Sequence, residues 1–148
     1  MEYPEVADLV PHAGSMLLVR RVLAHSGERT VCEVDASDSE LFAAADGRVP
    51  AWVGLEYMAQ CVAVHGGLRA REAGEGPRVG MLLGTRRLRL HVDFFVPGEV
   101  VRVSATRVHA SAQMLSFACE IHDGDGDRLL AAARLNVFVS ERIGEANP

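Results

Sequence analysis

The chain has 148 residues, 49% of them hydrophobic and 24% charged, with a formal net charge of -5. That size suits a single domain spanning 1–148, long enough to bury a core alone or with a partner copy. The negative balance argues against a general nucleic-acid binder, which presents a basic face to phosphates, and no apolar run is both long and charge-free enough to cross a bilayer.

The N-terminus, MEYPEVADLVPHAG, puts acidic residues where a secretory signal carries positive charge. No continuous apolar core follows, so a cytoplasmic location is expected. Next, SMLLVRRVLAHSGERTVCEVDA holds two apolar, β-branched runs around Ser26, Gly27 and Glu28, which predicts a hairpin. SDSELFAAADGR follows, with Ser37 or Ser39 available as a helix cap and Gly47 as a stop, and predicts a short helix or loop. Pro50 opens the longest predicted helix, carried by VPAWVGLEYMAQCVAVHGGL, and AREAGEGPR closes it with two glycines and a proline.

Beyond the helix the chain alternates or carries strand-formers in VGMLLGTRRLRLHVDFF, EVVRVSATRVHA, QMLSFACEIHD and LLAAARLNVFVS. These segments are joined by VPGE, SA and GDGD, which is turn chemistry. The expected class is α+β: one long helix, a hairpin before it and about four antiparallel strands after it. A helix apolar on nearly all sides must be buried on nearly all sides. A strongly curved antiparallel sheet wrapped around it satisfies that need, and a sheet with the helix on one face fits almost as well.

Cys32, Cys61 and Cys119 lie far apart among apolar neighbours, without metal-site spacing, and read as reduced core residues. Four arginines between Arg78 and Arg89 form a basic segment in an acidic protein. Either a solvated strand face or a docking patch for an acidic partner accounts for it. Walker, Rossmann, G-x-S-x-G and H-E-x-x-H patterns are absent from the sequence, so neither a metal nor a nucleotide cofactor is expected.

Glu56 stands out, a carboxylate near the start of the most apolar helix with Gln60 one turn later. One reading makes it a cap or an ion-pair partner at an exposed helix end. In the other, a buried carboxyl held by an amide works as a general acid or base, because burial disfavours its ionised form. No basic residue within the helix stands at ion-pair spacing from it, and Gln60 can only hydrogen-bond it. Among the histidines, His25 borders a turn, His91, His109 and His122 fall on later strands, and His65 points to a different side of the helix from Glu56. His12 sits in VPHAGSMLLV, where Pro11 and Gly14 shape a loop directly before a strand, either exposed or at a pocket rim.

PHAGSMLLVRRV, GLEYMAQ and FFVPGEVVRV occur in the order seen in hot-dog 3-hydroxyacyl-[acyl-carrier-protein] dehydratases. From about Pro11 to Val139 the chain resembles that family, and with LLGTRRL it most resembles the ApeP-like branch. The resemblance implies a hot-dog fold, a sheet wrapped around one central helix and paired into a double hot-dog dimer. It also implies dehydration of a 3-hydroxyacyl thioester, carried on acyl carrier protein or CoA, to the trans-2-enoyl thioester in fatty-acid-like or polyene biosynthesis. Glu56 matches the family's acid and Gln60 its following glutamine. The backbone from Ala51 through Trp52 and Val53 to Gly54 matches the turn that holds the thioester oxygen, and Trp52 is expected to line the pocket. The family's sites are shared between subunits of a homodimer or a heterodimer.

The chain departs from that pattern where familiar members carry their catalytic histidine in G-H-F-P-G, because it reads ELFAAADGRVP there. No histidine lies between His25 and His65, and His12 is the expected replacement. Two rivals stand beside the dehydratase: a hot-dog acyl thioesterase, and a non-catalytic dehydratase-like subunit of a heterodimer.

Overall fold

A computed structural model describes residues 2–76 and 78–142. Strands β1 (Arg21–His25) and β2 (Arg29–Asp35) form the expected hairpin. A 3-10 segment, Ala36–Phe42, follows. Its cap is Asp35 rather than Ser37 or Ser39: the Asp35 carboxylate accepts from the Ser37 backbone N–H at 2.9 Å. A carboxylate at the end of β2 reaches the first free amide, and Ser39 is drawn inside instead. Strand β3 (Val49–Pro50) then leads through a 3-10 turn, Ala51–Val53, into helix α1 (Gly54–Glu72).

The helix ends as its sequence directs. Gly74 adopts φ +69°, a conformation glycine takes without strain. The N–H of Glu75 donates to the Ala70 carbonyl at 2.8 Å and that of Gly74 to Arg71 at 3.0 Å, the Schellman pattern. Beyond it lie β4 (Arg78–Leu90), β5 (Phe94–Phe95), β6 (Val100–Ala110), β7 (Met114–Asp123) and β8 (Leu129–Arg142). The stretch read from sequence as one strand through Phe95 breaks after Leu90, and β5 leaves the main sheet to pair with β3.

The main sheet is antiparallel, in the order β1-β2-β6-β7-β8-β4. Its register lines up Cys32, Val103, Ile121 and Ala131 across four strands, and all four are buried. That row and its neighbours face α1, whose Tyr57, Met58, Cys61 and Val64 are fully enclosed. Each such side chain contributes about 1.5–3 kcal/mol of burial. The arrangement is the hot-dog fold, and α1 needs its apolar surface on most sides because sheet and N-terminal segment together surround it. Gly67 permits the closest approach: a Cβ there would collide with the Leu9 carbonyl.

All three cysteines are free and buried. Burial pushes the Cys119 thiol up to about 12, which keeps it protonated and inert. At the open end of the sheet, β4 bonds only β8 among the described residues and exposes Met81, Leu82, Leu83, Leu88 and Leu90.

Candidate active site

The start of α1 is assembled from its own sequence. Pro50 pre-sets the backbone, and the N–H of Ala51 donates to the Asp93 carbonyl at 2.9 Å, tying the entry turn to the segment before β5. Gly54 then lets the helix pack hard against the sheet, since a Cβ there would lie 2.9 Å from Ile121 and 3.2 Å from Phe95. The side chains of Ala51 and Val53 are inside the core, so what this turn offers a ligand is backbone. Gly54's own N–H is bonded within the turn, to the carbonyls of Ala51 and Trp52. The positive end of the helix dipole lies at this turn, where an oxyanion is stabilised. Trp52, expected to line a pocket, is 59% exposed in the single chain.

Glu56 follows in the first turn of the helix, where the dipole favours an anion. The reading of it as buried needs correction, because its side chain retains 37% of its surface in the single chain. Gly54 and Tyr57 of the same turn are buried against the sheet, whereas Glu56 faces the N-terminal loop. Facing it is His12, whose Nε2 lies 3.6 Å from Glu56 Oε1. His12 Nδ1 is sealed from solvent and has no hydrogen-bond partner in the described chain, which leaves Nε2 as the ring nitrogen able to meet a substrate.

Gln60 joins the two. Its Oε1 accepts from the backbone N–H groups of Leu18 at 2.8 Å and Val19 at 3.3 Å. Its Nε2 donates to the Met16 carbonyl at 2.7 Å and to Glu56 Oε1 at 3.1 Å. Flipping this amide would set its NH2 against two N–H donors, so one orientation is fixed. A fully buried side chain thus holds both the loop that carries His12 and the carboxylate one turn back. Between His12 and Met16 the loop closes as a 3-10 turn with Gly14 at φ +58°.

Where familiar members place their histidine, residues 44–48 form a tight turn. Gly47 stands at φ +85°, and the Arg48 guanidinium bonds Asp46 and lies 4.1 Å from the Phe94 ring centroid. This turn carries no acid or base aimed at Glu56.

A second titratable group, unread in the sequence, lies toward the other end of α1. Glu72 meets His25 Nε2 at 2.9 Å, His25 Nδ1 meets Thr30 Oγ1 at 2.8 Å, and Thr30 Oγ1 meets His65 Nδ1 at 2.7 Å. His65, expected on a different side of the helix from Glu56, is buried there at 2% exposure. Burial, then the neighbouring His25, pushes its pKa down to about 4. His25 and Thr30 face each other across the β1–β2 hairpin, and they meet His65 and Glu72 of the helix across 35 and 47 residues of sequence, a relation no local pattern encodes. Likewise Tyr57 and Ser39, both buried, bond at 2.7 Å behind the site.

A curved antiparallel sheet around one helix defines the hot-dog class. Distant members share it: a thioesterase mutant from Pseudomonas aeruginosa is 14% identical with TM-score 0.62, covering 82% of this chain and 80% of that one. A putative esterase from Mycobacterium tuberculosis is 14% identical with TM-score 0.63, covering 87% and 96%. At such identities the likeness is one of fold.

The ApeP-like family model, described as ApeP dehydratase, matches residues 4–147, and the chain belongs to that dehydratase family. The dehydratase heterocomplex ApeI:P from Xenorhabdus doucetiae is similar at 30% identity and TM-score 0.88, covering 95% of this chain and 94% of that one. No curated protein sequence matches the chain. The resemblance read from PHAGSM, GLEYMAQ and LLGTRRL is thereby borne out, and the protein is a dehydratase of the hot-dog fold.

Proposed function

We propose that this dehydratase removes water from a 3-hydroxyacyl thioester, carried on acyl carrier protein or CoA, to give the trans-2-enoyl thioester, with His12 as base and Glu56 as acid. The observation that carries this reading is the 3.6 Å approach of His12 Nε2 to Glu56 Oε1 with Gln60 bonded to Glu56 and to the His12 loop. His12 Nε2 takes the proton from the α-carbon, and the C–H electron pair becomes the new C=C bond as the C–O bond breaks. Glu56, protonated, gives its proton to the departing hydroxyl, which leaves as water. Negative charge gathers on the thioester oxygen meanwhile, and the backbone of the Trp52–Val53 turn, beside the helix dipole, is placed to stabilise it.

The relative from Xenorhabdus doucetiae is a heterocomplex. On that model this chain pairs with a second hot-dog chain, a copy of itself or a homologue, and the open β4 edge is the surface supporting such pairing. Arg86, Arg87 and Arg89 are exposed on the same strand and suit an acidic carrier protein. Among the described residues no helix is long and apolar enough to cross a membrane, and the proposed location is cytoplasmic.

The test is mass spectrometry of a medium-chain 3-hydroxyacyl carrier-protein thioester after incubation with wild type, Glu56→Gln and His12→Ala. Loss of water by wild type alone supports the assignment. Release of free acid would move the function to thioesterase, and an unchanged thioester would favour a non-catalytic subunit.

A further inference from the structure

The outer face of the main sheet gathers arginines through an irregularity in β4. Arg86 stands directly opposite Arg134 of β8, and Arg89 opposite Ala132. Ala132 and Arg134 alternate with the buried Ala131, Ala133 and Leu135, so they lie on the face turned away from α1. Cross-strand partners share a face, which puts Arg86 and Arg89 there too. Three residues apart, those two would point to opposite faces of a regular strand. The register shifts between them, and Arg87 takes φ +55°, a left-handed conformation unfavourable to any residue but glycine. A bulge re-aims side chains, and this one turns both arginines the same way.

Elsewhere the chain neutralises its arginines: Arg20 pairs with Asp38, Arg21 with Glu33, Arg48 with Asp46 and Arg107 with Glu28. Arg86, Arg89 and Arg134 form no ion pair with any described carboxylate, and Glu120, across Ala132 on β7, makes none with them. Like charges directly opposite destabilise a sheet, so an acidic chain that keeps them together leaves a site for an anion. Guanidinium forks on two adjacent strands, beside the single methyl of Ala132, match the several oxygens of a phosphate.

We propose that Arg86, Arg89 and Arg134 form an anion subsite on the outer face of the sheet that takes a phosphate group. It lies across the sheet from α1 and does not depend on the roles assigned to Glu56 and His12. The phosphate comes from one of two sources, the carrier of the thioester substrate or a free phosphate compound.

Calorimetric titration of the full chain with pyrophosphate at low salt tests the subsite. One saturable site is expected, weakening as salt rises. Affinity is expected to fall by about ten- to a hundredfold in Arg134→Gln and in Arg86→Gln, the cost of a lost charge-assisted bond. Arg102→Gln, on the same face but opposite Glu33, is expected to bind like wild type. Melting curves check the fold: removing a repelling charge does not lower the melting temperature, and pyrophosphate raises it more in wild type than in Arg134→Gln. If Arg134→Gln melts early, the exposed Arg86→Gln carries the test. Absence of saturable binding, or an equal loss in Arg102→Gln, would overturn the subsite. Competition then assigns the source. Displacement of pyrophosphate by CoA but not by pantetheine, which lacks phosphate, supports the subsite with the substrate's carrier as donor; bound pyrophosphate that CoA does not displace supports it with a free phosphate compound.

Discussion

Gln60 Nε2 donates to Glu56 Oε1 across 3.1 Å while also donating to the Met16 carbonyl across 2.7 Å, so one amide spans the helix and the loop that brings His12. The bond to Glu56 is local, one helical turn, and the bond to Met16 bridges 44 residues of sequence. Orientation of the carboxyl and placement of the imidazole are thus one structural event.

Replacing Gln60 separates those roles. Gln60→Leu leaves the buried Leu18 and Val19 amides without their acceptor and is expected to cost about 2–6 kcal/mol in chemical denaturation, from about 1–3 per unsatisfied group. Gln60→Glu keeps the shape and the acceptor for Leu18 and Val19 but cannot donate to Met16 as a carboxylate. It is expected to retain a folded core, lower kcat by at least tenfold and leave KM within a few-fold. Unchanged kcat in a folded Gln60→Glu chain would show that Gln60 only packs.

Glu56→Gln probes chemistry without architecture. The side chain is part exposed, and Gln60 donates a hydrogen bond to it. Loss of that exposed contact is expected to change stability by less than about 1 kcal/mol, as surface changes usually do. Dehydration is expected to fall by about a hundred- to ten-thousandfold. A large drop in melting temperature, rather than in kcat, would make Glu56 a structural cap.

Much of this was legible in the sequence, and the limits have physical causes. The β1–β2 hairpin, the long helix and its glycine stop were readable because local spacing and turn chemistry decide them. Glu56 and Gln60 stand at the i, i+4 spacing that makes them neighbours on any helix. Periodicity left Glu56 open between an exposed helix end and a buried carboxyl, and its 37% exposure beside the His12 loop is a tertiary outcome that spacing does not encode. Nor could it show β3 and β5, two residues each, which exist by pairing with one another. The Gln60 bonds to Met16 and Leu18 and the His25, Thr30 and His65 chain are tertiary, made only once the sheet closes on the helix.

The open edge gives a third prediction. Met81 is 60% exposed on β4, a long strand with no partner on its outer side in the described chain. Such an edge invites strand pairing, and a charge placed on it blocks pairing. Met81→Lys is expected to shift sedimentation toward monomer, whereas Arg21→Glu on the opposite edge strand β1 leaves assembly unchanged. If Met81→Lys assembled like wild type, another surface would carry the pairing.

The last prediction concerns acid. His65 is 2% exposed, and its pKa near 4 lies below the ordinary 6.5 of an unfolded chain. Between those values the unfolded state binds a proton that the folded state refuses, so stability falls as pH drops from about 6.5 toward 4 and is level above that window. At about 1.4 kcal/mol per unit, the loss is on the order of 3 kcal/mol. The charges around it are His25, Arg107 and Arg69, which oppose protonation, and Glu28, which favours it. Glu72, held below its usual range by its bond to His25, loses its contribution in the same direction at lower pH, so the contrast with a His65→Gln variant isolates the imidazole. The hydrogen-bond chain adds a second readout. When His25 is neutral and donates Nε2–H to Glu72, its Nδ1 accepts from the Thr30 hydroxyl, whose oxygen then accepts from His65 Nδ1–H. His65 Nε2 is left as a bare lone pair, in keeping with its lack of any partner. Long-range nitrogen-15 spectra at pH 8 are expected to show His65 with its proton on Nδ1. A proton on Nε2, or a stability curve as flat as that of His65→Gln between pH 6.5 and 4, would mean that this buried chain is polarised the other way or is not closed in solution.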